Sequence, residues 1–89
     1  MEINDRIREL IAVGASVTSN CQPCLNTHVE KAISFGAEPK EVAEAIEIGN
    51  GVRKCAAAKM DAFSRRLQSD DAPGFDVVTE CKGFHYLGP

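Results

Sequence analysis

Thr18-Ser19-Asn20-Cys21-Gln22-Pro23-Cys24-Leu25-Asn26-Thr27-His28 ends one apolar helical pattern and opens another. Thr18, Ser19 and Asn20 interrupt the preceding periodicity and supply N-cap side chains for the next helix. Pro23 sits within the first turn of that helix, where its missing N–H removes no internal hydrogen bond. Ser19 with Gln22 also fits a capping box. The spacing therefore predicts a helix from about Cys21 to Phe35, stopped by Gly36, for which left-handed geometry carries little strain. On that helix Cys21, Cys24 and His28 stand at i, i+3 and i+7, on one face. Ala32 and Phe35 continue their stripe, with Leu25, Val29 and Ile33 on its apolar flank. Asn26, Thr27, Glu30 and Ser34 lie opposite, toward solvent.

Outward from this stretch the chain reads as helical. Upstream, residues 3–18 carry Ile3, Ile7, Leu10, Ile11, Gly14 and Val17 on one stripe at helical spacing. Glu9 lies away from that stripe and reads as solvated by pattern alone, although Ala12, Val13 and Ser16 adjoin it and offer a second packing surface. Downstream, Pro39 suits the opening of a third helix carrying Val42, Ala43, Ala45, Ile46 and Ile48, which Gly49-Asn50-Gly51 should end. A fourth runs from Val52 to Gln68 through Cys55, Ala56, Met60, Phe63 and Leu67. Acidic Glu41, Glu44 and Glu47 mark helix three; basic Arg53, Lys54, Lys59, Arg65 and Arg66 mark helix four. These charges can pair within or between subunits, each exposed pair contributing ~0–1 kcal/mol. After Ser69 the period is lost. The expectation is an all-α bundle of about four helices over residues 1–69, with an irregular tail over 70–89 lying on its own or a neighbouring subunit.

Composition narrows the function classes. The 89 residues hold four Phe, one Tyr and no Trp, and much of the 44% hydrophobic content is alanine. Such a core is thin for a monomer of this size, so self-association is expected. A net charge of −3 without clustered Lys and Arg gives no nucleic-acid footprint. No apolar run approaches the ~20 residues of a membrane helix. The N-terminus has no secretory signal pattern, and the expected location is cytoplasmic.

In a reducing compartment a Cys-x-x-Cys pair is redox-active or metal-binding sooner than a permanent staple. A helix N-terminus lowers thiol pKa through its free N–H groups, which favours redox chemistry. His28, one turn from Cys24, can exchange a proton with either sulfur. Zinc is the competing reading: Cys21, Cys24 and His28 would be three ligands, with Cys55, Cys81 or His85 as a fourth. The compact second ligand pair of a zinc module is missing, since Cys81 and His85 fall in the irregular tail. Cys55, among alanines, reads as a small core residue.

The order Glu9, then Cys21-x-x-Cys24-x-x-x-His28, then a Gly-x-x-Pro turn (Gly36 to Pro39) and an alanine-rich helix, resembles the AhpD-like group. This is the alkylhydroperoxidase D and carboxymuconolactone decarboxylase superfamily, and the similarity covers about residues 3–68. It implies an all-α subunit assembled into trimers or hexamers, with a thioredoxin-like dithiol activity and no organic cofactor. It also implies that Glu9, Cys21, Cys24 and His28 form a proton relay. The implied partners are a thioredoxin-like or lipoyl donor and a peroxide, peroxiredoxin or protein disulfide as acceptor. Two departures stand out. Alkylhydroperoxidase D has a histidine immediately before its second cysteine, where this chain has Pro23, and it is far longer. The decarboxylase branch, a lactone-acid lyase, does not use a Cys-x-x-Cys.

Overall fold

A computed structural model describes residues 2–68 of the chain, and every regular element among them is an α-helix: α1 Asp5–Thr18, α2 Gln22–Ser34 and α3 Pro39–Gln68. The chain divides into two compact units, Met1–Asn50 and Gly51–Pro89. The tail expected over 70–89, with Cys81 and His85, lies outside the described residues.

Each helix start has a local cause. Asn4 caps α1, its side chain accepting from the Ile7 N–H at 2.8 Å, so the helix begins two residues later than periodicity suggests. At α2 the cap is Cys21 itself, whose extended backbone precedes Gln22. The Ser19–Gln22 capping box does not form. Ser19 instead closes α1, its hydroxyl donating to the carbonyls of Ala15 and Ser16. α2 ends in a Schellman arrangement, with Ala37 N–H on the Ala32 carbonyl, Gly36 N–H on that of Ile33, and Gly36 at φ 98°.

The start of α3 combines Pro39 in the first turn with a carboxylate three residues past Glu38. Glu41 Oε1 accepts from the Glu38 backbone N–H at 3.0 Å, the reciprocal half of a capping box. Its Oε2 pairs with Arg6 Nη1 of α1 at 2.6 Å. The Glu38 N–H holds the Glu41 carboxyl below the ordinary glutamate range, with Arg6 assisting and desolvation opposing. A depressed folded pKa stabilises above the unfolded value and is lost as pH falls through the folded one. The Glu41 carboxyl resonance should therefore titrate at lower pH than a free glutamate, and Arg6→Gln should move its midpoint up without abolishing the depression. An ordinary midpoint in the native protein would contradict the cap.

Local propensity predicts a helix end at Gly49-Asn50-Gly51; the structure runs α3 through it as one helix. The glycines serve close approach rather than a break. A Cβ built on Gly49 would fall onto the Gly14 carbonyl oxygen of α1 and 2.8 Å from Val17 Cβ. Thr18 Oγ1 fastens the same crossing, 3.0 Å from the Gly14 carbonyl and 3.1 Å from that of Gly49. Among the described residues three helices therefore stand where about four are expected.

Gly49→Ala tests this. In a free helix the change gains ~1 kcal/mol; here overpacking costs ~1–3 kcal/mol. Chemical denaturation should show a net loss of stability rather than a gain.

The core of the first unit is small. Val13, Ala32, Ala37, Val42 and Ala45 are buried together, with Leu10, Leu25, Val29 and Ile46 packed against them. Val13, fully buried, belongs to the second surface adjoining Glu9. Ile7 and Ile11 of α1 and Ile3 just before it remain exposed, as do Ile33 of α2 and Phe35 at its C-cap. In the second unit Ala62 and Cys55 are buried, while Met60, Phe63 and Leu67 are exposed.

Candidate functional site

The corner between α1 and α2 sets the site. The Asn20 N–H donates to the Val17 carbonyl at 3.1 Å, and the Cys21 N–H to that of buried Ser16 at 3.0 Å. Joining them takes a left-handed residue, and Asn20 adopts φ 59°. Asparagine is among the few side chains that tolerate this region. Ser16 donates its hydroxyl to the Ala12 carbonyl at 2.7 Å, and its own carbonyl receives the Cys21 N–H and the Ser19 hydroxyl. Neither Ser16 nor Asn20 stands out as a site residue by pattern. The available signal is the asparagine immediately before the first cysteine.

Cys21 and Cys24 form a disulfide, with their Cα atoms 5.2 Å apart. They differ in environment. Cys21 is partly buried at the cap position, and its Sγ receives the Cys24 backbone N–H at 3.3 Å. Cys24, one turn on, is exposed. A sulfur accepting a helix N-terminal N–H is stabilised as a thiolate when the disulfide opens.

One turn further along α2, His28 Nδ1 lies 2.6 Å from Glu9 Oε1 of α1. A carboxylate oxygen accepts, so Nδ1 is the donor in this pairing, and the neutral tautomer that matches it has Nε2 as acceptor. Only 12% of the Glu9 side chain is exposed, against 30% for His28. Pattern alone reads Glu9 as solvated; it is instead enclosed between α1 and α2 on the stripe of Val13 and Ser16. That stripe is the available clue. The pairing ties the ring of α2 to α1 and sets its orientation.

The four residues singled out from sequence thus come as two bonded pairs, Cys21–Cys24 and His28–Glu9, held by the packing of α2 on α1. Cys55 is buried and disulfide-bonded, in the second unit. Among the described residues no group of three or more His, Cys, Asp or Glu is disposed to hold a metal ion. Nor is any described helix long and apolar enough to cross a membrane.

Residues 2–64 match the model of the carboxymuconolactone decarboxylase family. The chain belongs to that family. Within the carboxymuconolactone decarboxylase family its bonded Cys-x-x-Cys agrees with the AhpD-like redox branch. No curated protein and no solved structure matches the chain.

Proposed function

We propose that this protein is a thiol–disulfide oxidoreductase of the AhpD-like kind, cycling between a Cys21/Cys24 dithiol and its disulfide. The observation that carries the reading is the asymmetric disulfide at the start of α2, its partly buried Cys21 sulfur accepting a backbone N–H and its Cys24 exposed, one turn from a carboxylate-held histidine.

Starting from the dithiol, His28 Nε2 takes the proton of Cys24, and the Cys24 thiolate attacks one sulfur of a substrate disulfide. The substrate S–S bond breaks, a mixed disulfide forms, and the departing sulfur takes up a proton. Cys21 then attacks Cys24, forming the disulfide and releasing the second substrate thiol. Two electrons and two protons leave the protein. A peroxide substitutes for the disulfide with equal balance. Cys24 becomes a sulfenic acid as the alcohol leaves, and Cys21 displaces water from it. In the return step a donor dithiol attacks exposed Cys24 and expels Cys21. The Cys24 N–H favours that departure, because a stabilised thiolate is the better leaving group.

The donor in this reading is a thioredoxin-like or dihydrolipoyl dithiol, and the acceptor is a peroxide, a peroxiredoxin or a protein disulfide. The reading places the protein in the cytoplasm, where a reducing pool sustains such a cycle, and in a homo-oligomer, a trimer or hexamer. The test is steady-state reduction of a peroxide or a protein disulfide by dihydrolipoamide or thioredoxin, with trapped intermediates weighed by mass spectrometry. Turnover passing through a mixed disulfide on Cys24 supports the proposal. Lactone-acid decarboxylation that survives loss of both cysteines would replace it with the lyase activity after which the family is named. Stoichiometric zinc with unfolding on chelation would replace it with a metal module.

A further inference from the structure

The face of α1 turned away from Glu9 is largely open. Ile7, Leu10 and Ile11, with Ala45 and Ile48 of α3, wall a groove of about 400 Å³, and Glu41 and Glu44 stand among its lining. Ile7, Ile11 and Ile48 are exposed there, at 37%, 56% and 40%. Glu41 is committed to Arg6, whereas exposed Glu44 makes no ion pair among the described residues. The groove is thus apolar within and acidic at its edge.

The second unit carries the opposite pattern. Met60, Phe63 and Leu67 recur at spacings of three and four, exposed by 63%, 49% and 73%, so they form one apolar stripe on a helix surface. Lys59 and Arg66 flank that stripe on one side. The Arg66 guanidinium lies 6.0 Å from the Phe63 ring centroid, keeping a cation at the edge of the apolar surface. Arg66 Nε is buried without an acceptor among the described residues.

We propose that the α1/α3 groove of one copy receives the Met60–Phe63–Leu67 stripe of a second copy, with Glu44 facing Lys59 and Arg66 across the contact. The occupant is chosen by charge complementarity: an acidic-edged apolar groove and a basic-edged apolar ridge occur on the same chain. Two different surfaces meet, so the contact is heterologous, and repetition closes it into a ring when the rotation permits. The inference deepens the oligomeric part of the proposed function and does not depend on its redox chemistry.

Sedimentation equilibrium of the full chain over about 1–100 µM, a range that reads ordinary association constants, tests it. The wild type should self-associate. Ile11→Glu in the groove and Phe63→Asp on the ridge should each weaken association, and both sites are exposed enough for the fold to persist. Glu44→Arg and Arg66→Glu should each weaken it by about tenfold or more, the effect of a like-charge contact across an interface. The double variant Glu44→Arg/Arg66→Glu should recover much of the loss, a rescue that mere unfolding cannot give. A monomeric wild type overturns the proposal, as does an oligomer indifferent to both charge reversals. So does a monomer whose Ile7 and Ile11 amides are protected from exchange only while residues 69–89 are present, since the groove then belongs to the chain's own tail. Dithiol turnover measured on the same samples separates failure of the interface from failure of the redox reading.

Discussion

Cys24→Ser should abolish reduction of disulfides and peroxides, by on the order of 10³-fold or more, the usual scale for removing a nucleophile. Serine is close in size, and the site is exposed, so the fold has no packing reason to fail. Cys21→Ser should differ in kind. Cys24 is then still free to attack, but nothing resolves the product, so the protein should stop after one event as a stable mixed disulfide or a sulfenic acid. Mass spectrometry of the stalled protein distinguishes the two variants. Reversed behaviour, with Cys24→Ser stalling as an adduct on Cys21 and Cys21→Ser inert, would exchange the roles assigned from exposure. Full activity in both single variants would remove the dithiol mechanism.

The second large effect belongs to the histidine–glutamate pair. His28→Ala removes the base beside Cys24, and general acid–base contributions of this type amount to ~10²–10⁴-fold. Glu9→Gln keeps a hydrogen-bonding group 2.6 Å from Nδ1 but removes the charge that stabilises a protonated ring. It should cost less than His28→Ala. Because Glu9 acts through His28, the double variant should be no slower than His28→Ala alone, a failure of additivity expected of two residues working as one unit. Initial rates at several pH values measure this. The deficit should shrink at high pH, where Cys24 ionises without help. A deficit constant with pH in both variants would make the pair structural only.

Much of this is legible in the chain because it is local. The α2 start, the first-turn proline and the Gly36 stop follow from residues within a turn of one another, and the structure puts them there. The spacing of Cys21, Cys24 and His28 needs no tertiary information either. What sequence pattern cannot supply depends on partners far along the chain. Gly49 looks like a terminator when its propensity is read alone; the Gly14 carbonyl that occupies its missing side chain lies 35 positions earlier. Glu9 looks solvated when only one apolar stripe is given weight on α1, while the packing also buries Val13 and Ser16 beside it, together with Val17 of that stripe. Ile3, Ile7 and Ile11 of the stripe are left open. Periodicity reports that a face is apolar, not which element covers it, and a helix with two apolar faces can bury either.

The asymmetry between the two sulfurs is likewise a product of the corner. Asn20 in the left-handed region and the Ser16 carbonyl set Cys21 as the cap, and only a cap position lets its sulfur receive the Cys24 N–H. Once that is in place, the one-turn spacing of Cys24 from His28 follows from helix geometry.

Whether His28 and Glu9 activate Cys24 is read most directly from the pH dependence of Cys24 alkylation in the fully reduced protein, with Cys21→Ser as background, compared with the same chain carrying His28→Ala or Glu9→Gln. Cys24 should ionise with a midpoint below the ~8.5 of an ordinary thiol, and both substitutions should raise it, His28→Ala the more. An ordinary midpoint in the parent that neither substitution moves would contradict a histidine-assisted thiolate.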